Sequence, residues 1–164
     1  MKKIFCLLLA LIAVCALASC EDTKGGTPEF AAFSYNGVTI ALDAEAEPII
    51  SGLGTYVSFA ETNSCYGDGT DKVYEYTSFQ VHTYTVKGVE YILSVSIFSD
   101  SDEAVVTPEG IRIGDSADDV IAKYGAAQTE DATKLVYNDT QTKTRLQFLL
   151  RNGAVTNIQY LKTE

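Results

Sequence analysis

The sequence predicts an α+β fold in which two tandem repeats, each a short helix followed by an antiparallel meander, form one sheet with the helices packed on one face. Three observations predict it. Runs in which apolar residues alternate with polar ones are joined by Asn-Gly or Lys-Gly pairs, which favour tight hairpin turns. Two short segments have apolar residues at helical spacing and each ends at a glycine. The order of these elements is the same in both halves of the chain.

The first hairpin and the first helix lie between Phe33 and Gly54. Apolar side chains alternate from Phe33 to Leu42 around Asn36-Gly37, which predicts two short strands and a tight turn. Ile49, Ile50 and Leu53 then follow helical spacing, with Pro48 in the first turn and Gly54 after the last residue. We therefore expect a short helix with one buried side.

Strands account for the rest of the first half. Lys87-Gly88 is flanked by long alternating runs and gives the clearest hairpin in the chain. A polar segment that contains Cys65 and several glycines indicates a loop. The predicted strands cover residues 55–59, 73–76, 79–86 and 89–98, and the loop covers residues 61–72.

The second half begins after a polar connector, residues 99–109, in which Val105-Val106 could form a short edge strand. Gly114-Asp115-Ser116 is predicted to cap a second helix, because Asp115, Asp118 and Asp119 lie where the helix dipole favours negative charge and Gly125 comes at its end. Strands are predicted over residues 134–137, 144–150 and 155–161, with a turn at Asn152-Gly153.

The two halves align with each other. A shift of 71 places Ile40 on Ile111 and Gly54 on Gly125, and a shift of 65 places Gly88 on Gly153. Since short apolar patterns coincide often, a chance match of two helix–hairpin units is the alternative. The predicted boundaries are residues 30–98 for the first repeat, 99–109 for the connector and 110–164 for the second repeat.

The beginning of the chain has the order of a secretory leader. Lys2 and Lys3 precede an apolar run of 14 residues, 4–17, which is shorter than the ~20 needed to span a bilayer. Leu17-Ala18-Ser19-Cys20 then resembles the lipobox of bacterial lipoproteins. The resemblance implies cleavage of residues 1–19 and acylation of Cys20. The polar, glycine-containing segment that follows predicts a lipidated tether over residues 20–29. We expect an extracytoplasmic protein anchored to a membrane by lipid, with a Gram-positive cell surface favoured over an outer membrane.

Charge and composition limit the possible functions. The net charge is −10, and removal of Lys2 and Lys3 would make it −12, which argues against nucleic acid as a partner. Cys65 is the one cysteine left after the leader and Cys20, so no intrachain disulfide is expected. One cysteine and one histidine make a zinc site improbable. We predict no metal, no cofactor and no catalytic residue.

Several motifs resemble a known module. Gly110-Ile111-Arg112-Ile113-Gly114-Asp115-Ser116, with Tyr124-Gly125 and the closing strands around Phe148 and Ile158, is similar to the repeat shared by the β-lactamase inhibitor protein and the small lipoprotein of the outer-membrane β-barrel assembly machine. The resemblance implies a binding module whose sheet face meets another protein. Lactamase inhibition is not carried over, because the disulfides of the inhibitor are missing and each unit has one clear helix instead of a pair.

Alternation along the predicted strands assigns polar and aromatic side chains to a face of the sheet that the helices leave uncovered. Such a surface is typical of protein or glycan binding, and also of any solvated antiparallel sheet. We expect it to bind an envelope protein without catalysis or to serve envelope assembly. The residues of this predicted face are Glu75, Gln80, His82, Tyr84, Ser94, Ser96, Arg145, Gln147, Asn157 and Gln159.

Three alternatives remain open. A Cys65–His82 dyad would make the protein an envelope enzyme, but the sequence shows no third group to orient the base. Oxygen ligands alternate from Gly67 to Asp71 as in a calcium loop, although the closing glutamate is missing. The chain could also be the ligand-capturing lipoprotein of a transporter, for which it is small.

Overall fold

The structure is a computed structural model, and it describes residues 30–64 and 69–163. Strands make up 50% of it and helices 12%. The elements in chain order are β1 Ala32–Tyr35, β2 Val38–Ala41, α1 Ala46–Leu53, β3 Ser58–Asn63, β4 Thr70–Glu75, β5 Phe79–Val86, β6 Val89–Ile97, α2 Ala117–Tyr124, β7 Thr129–Asp131, β8 Lys134–Asp139, β9 Thr144–Arg151 and β10 Ala154–Lys162.

Eight strands form one antiparallel sheet in the order β3-β4-β5-β6-β10-β9-β8-β7. Consecutive strands are neighbours everywhere except at the centre, where β6 pairs with β10, the last strand of the chain. The β1–β2 hairpin is a separate two-stranded sheet. The outer strands of the large sheet are therefore β3, with six residues, and β7, with three.

The α+β, two-repeat prediction is wrong, because the protein is mostly β and has only two helices in the described residues, each eight residues long. Residues 61–72, predicted as a loop, account for part of the error. The structure extends β3 to Asn63 and starts β4 at Thr70, with Glu61 opposite Lys72. Every residue of β3 is exposed, so its sequence lacks the alternation that marks a half-buried strand.

The predicted turns are confirmed. Asn36 and Gly37 have φ of 49° and 81°, and Lys87-Gly88 and Asn152-Gly153 repeat the pattern, with positive φ at both central residues as in a type I′ turn. Glycine adopts this conformation without steric cost. Both predicted helices are also present. The predicted strand at Val105-Val106 is absent; Val105 is instead buried in the core.

The two helices begin differently. Ser116 Oγ accepts a hydrogen bond from the backbone N–H of Asp119, and the Asp119 carboxylate accepts one from the Ser116 N–H, which completes a capping box. The N-cap of α1 is Glu45, whose side chain makes no capping hydrogen bond. Helix α1 therefore depends more on packing: its Ala46 is fully buried, and Ile50 packs against the core.

One face of the sheet, called here the closed face, packs into a single core together with both helices and the β1–β2 hairpin. The register shifts between His82 and Thr83, so Leu93 has no partner on β5 and Ile92 is the fully buried residue at that point. Strict alternation with Val95 and Ile97 predicts Leu93 on this apolar face, but the bulge places Ile92 there instead. The main closed-face residues are Phe79, Val81, Val95, Ile97, Leu135, Tyr137, Leu146, Phe148, Ile158 and Tyr160.

Residues 1–29 and 65–68 lie outside the described residues. The predicted signal peptide, the acylated Cys20, the tether and Cys65 fall there, as do two positions of the predicted calcium loop, and all of these stay predictions. Within residues 30–64 and 69–163, no helix has the length and apolar character needed to cross a bilayer.

Candidate functional site

The face opposite the core carries a row of polar side chains that crosses five adjacent strands. Glu75 of β4 lies opposite Gln80 of β5, Gln80 opposite Ser96 of β6, Ser96 opposite Gln159 of β10, and Gln159 opposite Gln147 of β9. We call these five residues the glutamine row. Because neighbouring strands lie about 4.8 Å apart, the row spans about 19 Å.

Hydrogen bonds hold the middle of the glutamine row. Gln147 Nε2 donates to Gln159 Oε1 on the neighbouring strand. Asn157, one pleat further along β10, donates from Nδ2 to Ser96 Oγ at 3.2 Å. These contacts restrict the side-chain rotamers, so the polar groups are presented in fixed positions.

A second row lies beside the first. His82 of β5 is opposite Ser94 of β6, Ser94 is opposite Leu161 of β10, and Leu161 is opposite Arg145 of β9. Arg145 Nε donates to Asn138 Oδ1 of β8 at 2.8 Å. Leu161 and Asn138 were not predicted on this face. Only the strand register, which the sequence does not show, places them beside Arg145.

His82 is the one imidazole of the chain, and it is partly buried between Val73 and Ser94. Burial lowers its pKa from the ordinary value of 6.5, although the Asp71 carboxylate acts in the opposite direction. At neutral pH the imidazole is therefore mostly uncharged, and its neutral form has one nitrogen that donates and one that accepts.

Tyr84 does not belong to this exposed surface, so that part of the prediction is wrong. Its side chain is 5% exposed, and its hydroxyl bonds the Asp43 carboxylate and, at 2.7 Å, Lys162 Nζ. The cause is the segment after β2: Asp43 N–H donates to the Ile92 carbonyl, which carries Asp43 against the end of the β5–β6 hairpin. Lys162 bonds Asp43 at 2.6 Å and completes the cluster.

The structure thus brings nine of the ten predicted residues onto one face, which we call the open face. Ser96 is its most buried member, at 8% exposed, and most of the others are partly exposed. The chain has 22 acidic and 12 basic residues, yet one carboxylate and one guanidinium occur among these nine. The open face comprises Glu75, Gln80, His82, Ser94, Ser96, Arg145, Gln147, Asn157 and Gln159.

A separate charged cluster lies on the closed face, past the end of the core. Glu90 accepts hydrogen bonds from Lys72 at 2.7 Å, Thr83 at 2.6 Å and Tyr74 at 3.0 Å. Burial raises the pKa of Glu90, but the three hydrogen bonds and the Lys72 charge outweigh it and lower the pKa below 4.5. Because both oxygens of Glu90 accept hydrogen bonds, this carboxylate forms a structural ion pair with Lys72 and is not arranged as an acid–base catalyst.

Other chemistry is sparse in the part of the chain that the structure describes. No group of three or more His, Cys, Asp or Glu side chains there could hold a metal ion. Two shallow grooves of about 370 and 470 Å³ flank the turn between β8 and β9. The larger is lined in part by Asn138, Lys143 and Arg145, so it continues from the open face. The Cys65–His82 dyad stays a prediction, because Cys65 is outside the described residues.

Comparisons with known proteins add a fold likeness. No family model and no curated protein matches the chain. A solved structure that is similar, with a TM-score of 0.52 and 10% identity, is that of an extracellular protein containing a SCP domain from Bacillus anthracis str. Ames. The match covers 74% of this chain and 44% of that one. At this identity the likeness concerns the fold alone, and the resemblance to inhibitor-type repeats stays a prediction.

Proposed function

We propose that this protein is an extracytoplasmic lipoprotein, anchored through Cys20, that binds another envelope protein with its open face and performs no catalysis. The observation that carries the proposal is the glutamine row: partly exposed amides and hydroxyls follow one another across neighbouring strands. Amide groups donate and accept hydrogen bonds at once, so the row can form hydrogen bonds with a polar protein surface.

The charge distribution supports a protein partner. An acidic chain repels other acidic surfaces in the envelope. The open face is nearly neutral by comparison, and Arg145 gives it one cation suited to pairing with a carboxylate. An acidic partner would therefore be repelled least at the open face.

Site-specific photocrosslinking in intact cells tests the open face. The full chain is expressed with a photoreactive residue at Gln80 or Gln147, and, as the matched control, at Lys123, an exposed residue of α2. We expect a discrete crosslinked protein from the two open-face positions, none from Lys123, and loss of that product when Gln159→Glu is added. Equal products from all three positions, or none from the open face, would refute the proposal.

The anchor is tested separately. Cells are fed an alkyne fatty acid, and the chain is compared with Cys20→Ser. We expect label on the wild-type chain and none on the variant, because the thiol is the acylation site of a lipobox. Label on both would place the acyl group elsewhere, and label on neither would remove the anchor from the proposal while leaving the open-face experiment unaffected.

A further inference from the structure

Strand β3 is an outer strand of the large sheet, and no described residue pairs with its free side. All six residues are exposed, whereas the opposite outer strand, β7, has three residues and offers little backbone. Natural proteins often protect such an edge with lysine or proline. Residues 58–63 contain neither, and Glu61 is their one charged side chain.

The register shows which backbone groups of β3 point outward. Ser64 N–H donates to the Gly69 carbonyl, so Ser64 and Gly69 are a hydrogen-bonded pair next to the ladder. Hydrogen-bonded and non-hydrogen-bonded pairs alternate along an antiparallel ladder. Phe59, Glu61 and Asn63 are therefore in non-hydrogen-bonded positions, and their N–H and C=O groups face away from β4.

Exposed apolar side chains accompany this edge. Val57 is 73% exposed, Phe59 44% and Tyr56 40%, and they are three of the five large hydrophobic side chains that are exposed in the described residues. The rings of Tyr56 and Phe59 both pack on Tyr74, with centroids 5.4 and 5.2 Å away. The two rings are thus held in place beside the edge.

Charge determines which kind of strand fits. Glu61, Asp71 and Glu75 lie on β3 and β4, and the one cation there, Lys72, is engaged with Glu90 at 2.7 Å. A second copy of this chain would bring another acidic edge and another net charge of −10. A basic segment meets the opposite condition, because opposite charges on neighbouring strands attract.

We propose that the edge of β3 binds an extended, basic polypeptide segment of another protein, which pairs antiparallel to β3 as a ninth strand. An apolar residue of that segment packs on Phe59, and a basic residue two positions away, on the same face, pairs with Glu61. Backbone hydrogen bonds supply affinity, and the alternation of apolar and basic side chains supplies specificity. The edge is distinct from the open face, so this site stands or falls independently of the proposed function.

Fluorescence anisotropy with a labelled synthetic peptide tests the site. The probe repeats lysine, threonine, valine and threonine, so that lysine and valine share a face, and the control peptide carries proline at its central threonine positions. We expect the probe to bind the wild-type chain, and the proline peptide, which has the same charge but cannot form a ladder, to bind about tenfold more weakly. Equal binding of both peptides, or none of the probe, would overturn the proposal.

Variants of Glu61 separate backbone pairing from charge. Glu61→Pro removes one outward N–H without breaking the β3–β4 ladder, and we expect about tenfold weaker binding of the probe. Glu61→Gln should weaken binding of the probe about threefold, and Glu61→Lys should weaken it more. Both variants keep the backbone N–H, so they still test the site if circular dichroism shows that the proline variant does not fold. Unchanged binding in Glu61→Lys would refute the site, and a wild-type dimer that Glu61→Lys dissociates would assign the edge to a second copy.

Discussion

The two faces of the large sheet are built from alternate residues of the same strands, and one is mainly apolar while the other is mainly polar. In β9, Phe148 is fully buried on the closed face, while Gln147, its neighbour in the chain, is partly exposed and bonded to Gln159 on the open face. The closed face is a core of aromatic and aliphatic side chains. Stability is therefore concentrated on one face, which leaves the other available for binding.

The largest expected effect on stability comes from replacing Phe148 by alanine, compared with the same replacement of its neighbour Gln147. Phe148 packs against Tyr124 and Tyr137, so Phe148→Ala should lower the free energy of unfolding by about 3–5 kcal/mol. Gln147→Ala should change it by less than about 0.5 kcal/mol, because a surface amide is replaced. Urea unfolding measures both. Similar losses in the two variants would mean that the open face also stabilises the fold.

This contrast was largely predictable from the sequence, because alternation along a strand assigns faces without knowledge of the fold. The hairpin turns at Asn36, Lys87 and Asn152 were predictable for an equally local reason, since two-residue turns with positive φ favour Asn-Gly-like pairs. The capping box of Ser116 and Asp119 is likewise encoded within four residues.

The features that could not be predicted from the sequence depend on strand register and on exposure. The second half of β3, residues 61–63, is polar and exposed because β3 is an outer strand, and it therefore looked like a loop. The bulge that removes Leu93 from the closed face is invisible in the alternation. Tyr84 shares the strand and the parity of His82, yet Asp43 and Lys162, distant in sequence, cover it. The sequence thus predicts which residues belong to the open face better than it predicts which residues lie beside or cover them.

Glu90 lies on the closed face and is paired there with Lys72 at 2.7 Å, which sharpens the contrast because a charge beside an apolar core must be paired to be tolerated. Glu90→Gln should cost about 2 kcal/mol at pH 7, since the ion pair with Lys72 and the bonds from Thr83 and Tyr74 are weakened. The folded-state pKa lies below 4.5, so this stabilisation is complete above that pH and is lost as the pH falls through the folded value.

Thermal unfolding across pH 3 to 7 measures the Glu90 effect. The melting temperatures of wild type and Glu90→Gln should converge at the acidic end and separate near neutral pH. Glu75→Gln, on the open face, serves as the matched control and should follow wild type more closely. A constant gap between wild type and Glu90→Gln at every pH would show that packing, and not charge, accounts for the loss.

A smaller effect of opposite sign is expected at Tyr76. Its ring stacks on Phe79 with centroids 4.8 Å apart, and its hydroxyl is buried with no hydrogen-bond partner in the described residues. Burial of an unsatisfied hydroxyl costs free energy, so Tyr76→Phe should leave stability unchanged or raise it by up to about 1 kcal/mol. A loss of more than about 1 kcal/mol in urea unfolding would reveal a partner for the hydroxyl.

The smallest expected effect belongs to the open face. Burial lowers the folded-state pKa of His82 below 6.5, so the unfolded chain binds a proton more readily than the folded one. The contribution of the uncharged His82 to the free energy of unfolding should therefore be fully present above pH 6.5. It should decrease slightly as the pH falls from there through the folded pKa. His82→Gln should remove that slope while leaving the acidic transition of Glu90 in place. Titration of the imidazole by NMR gives the folded pKa directly, and a value above 6.5 would mean that the Asp71 carboxylate outweighs burial.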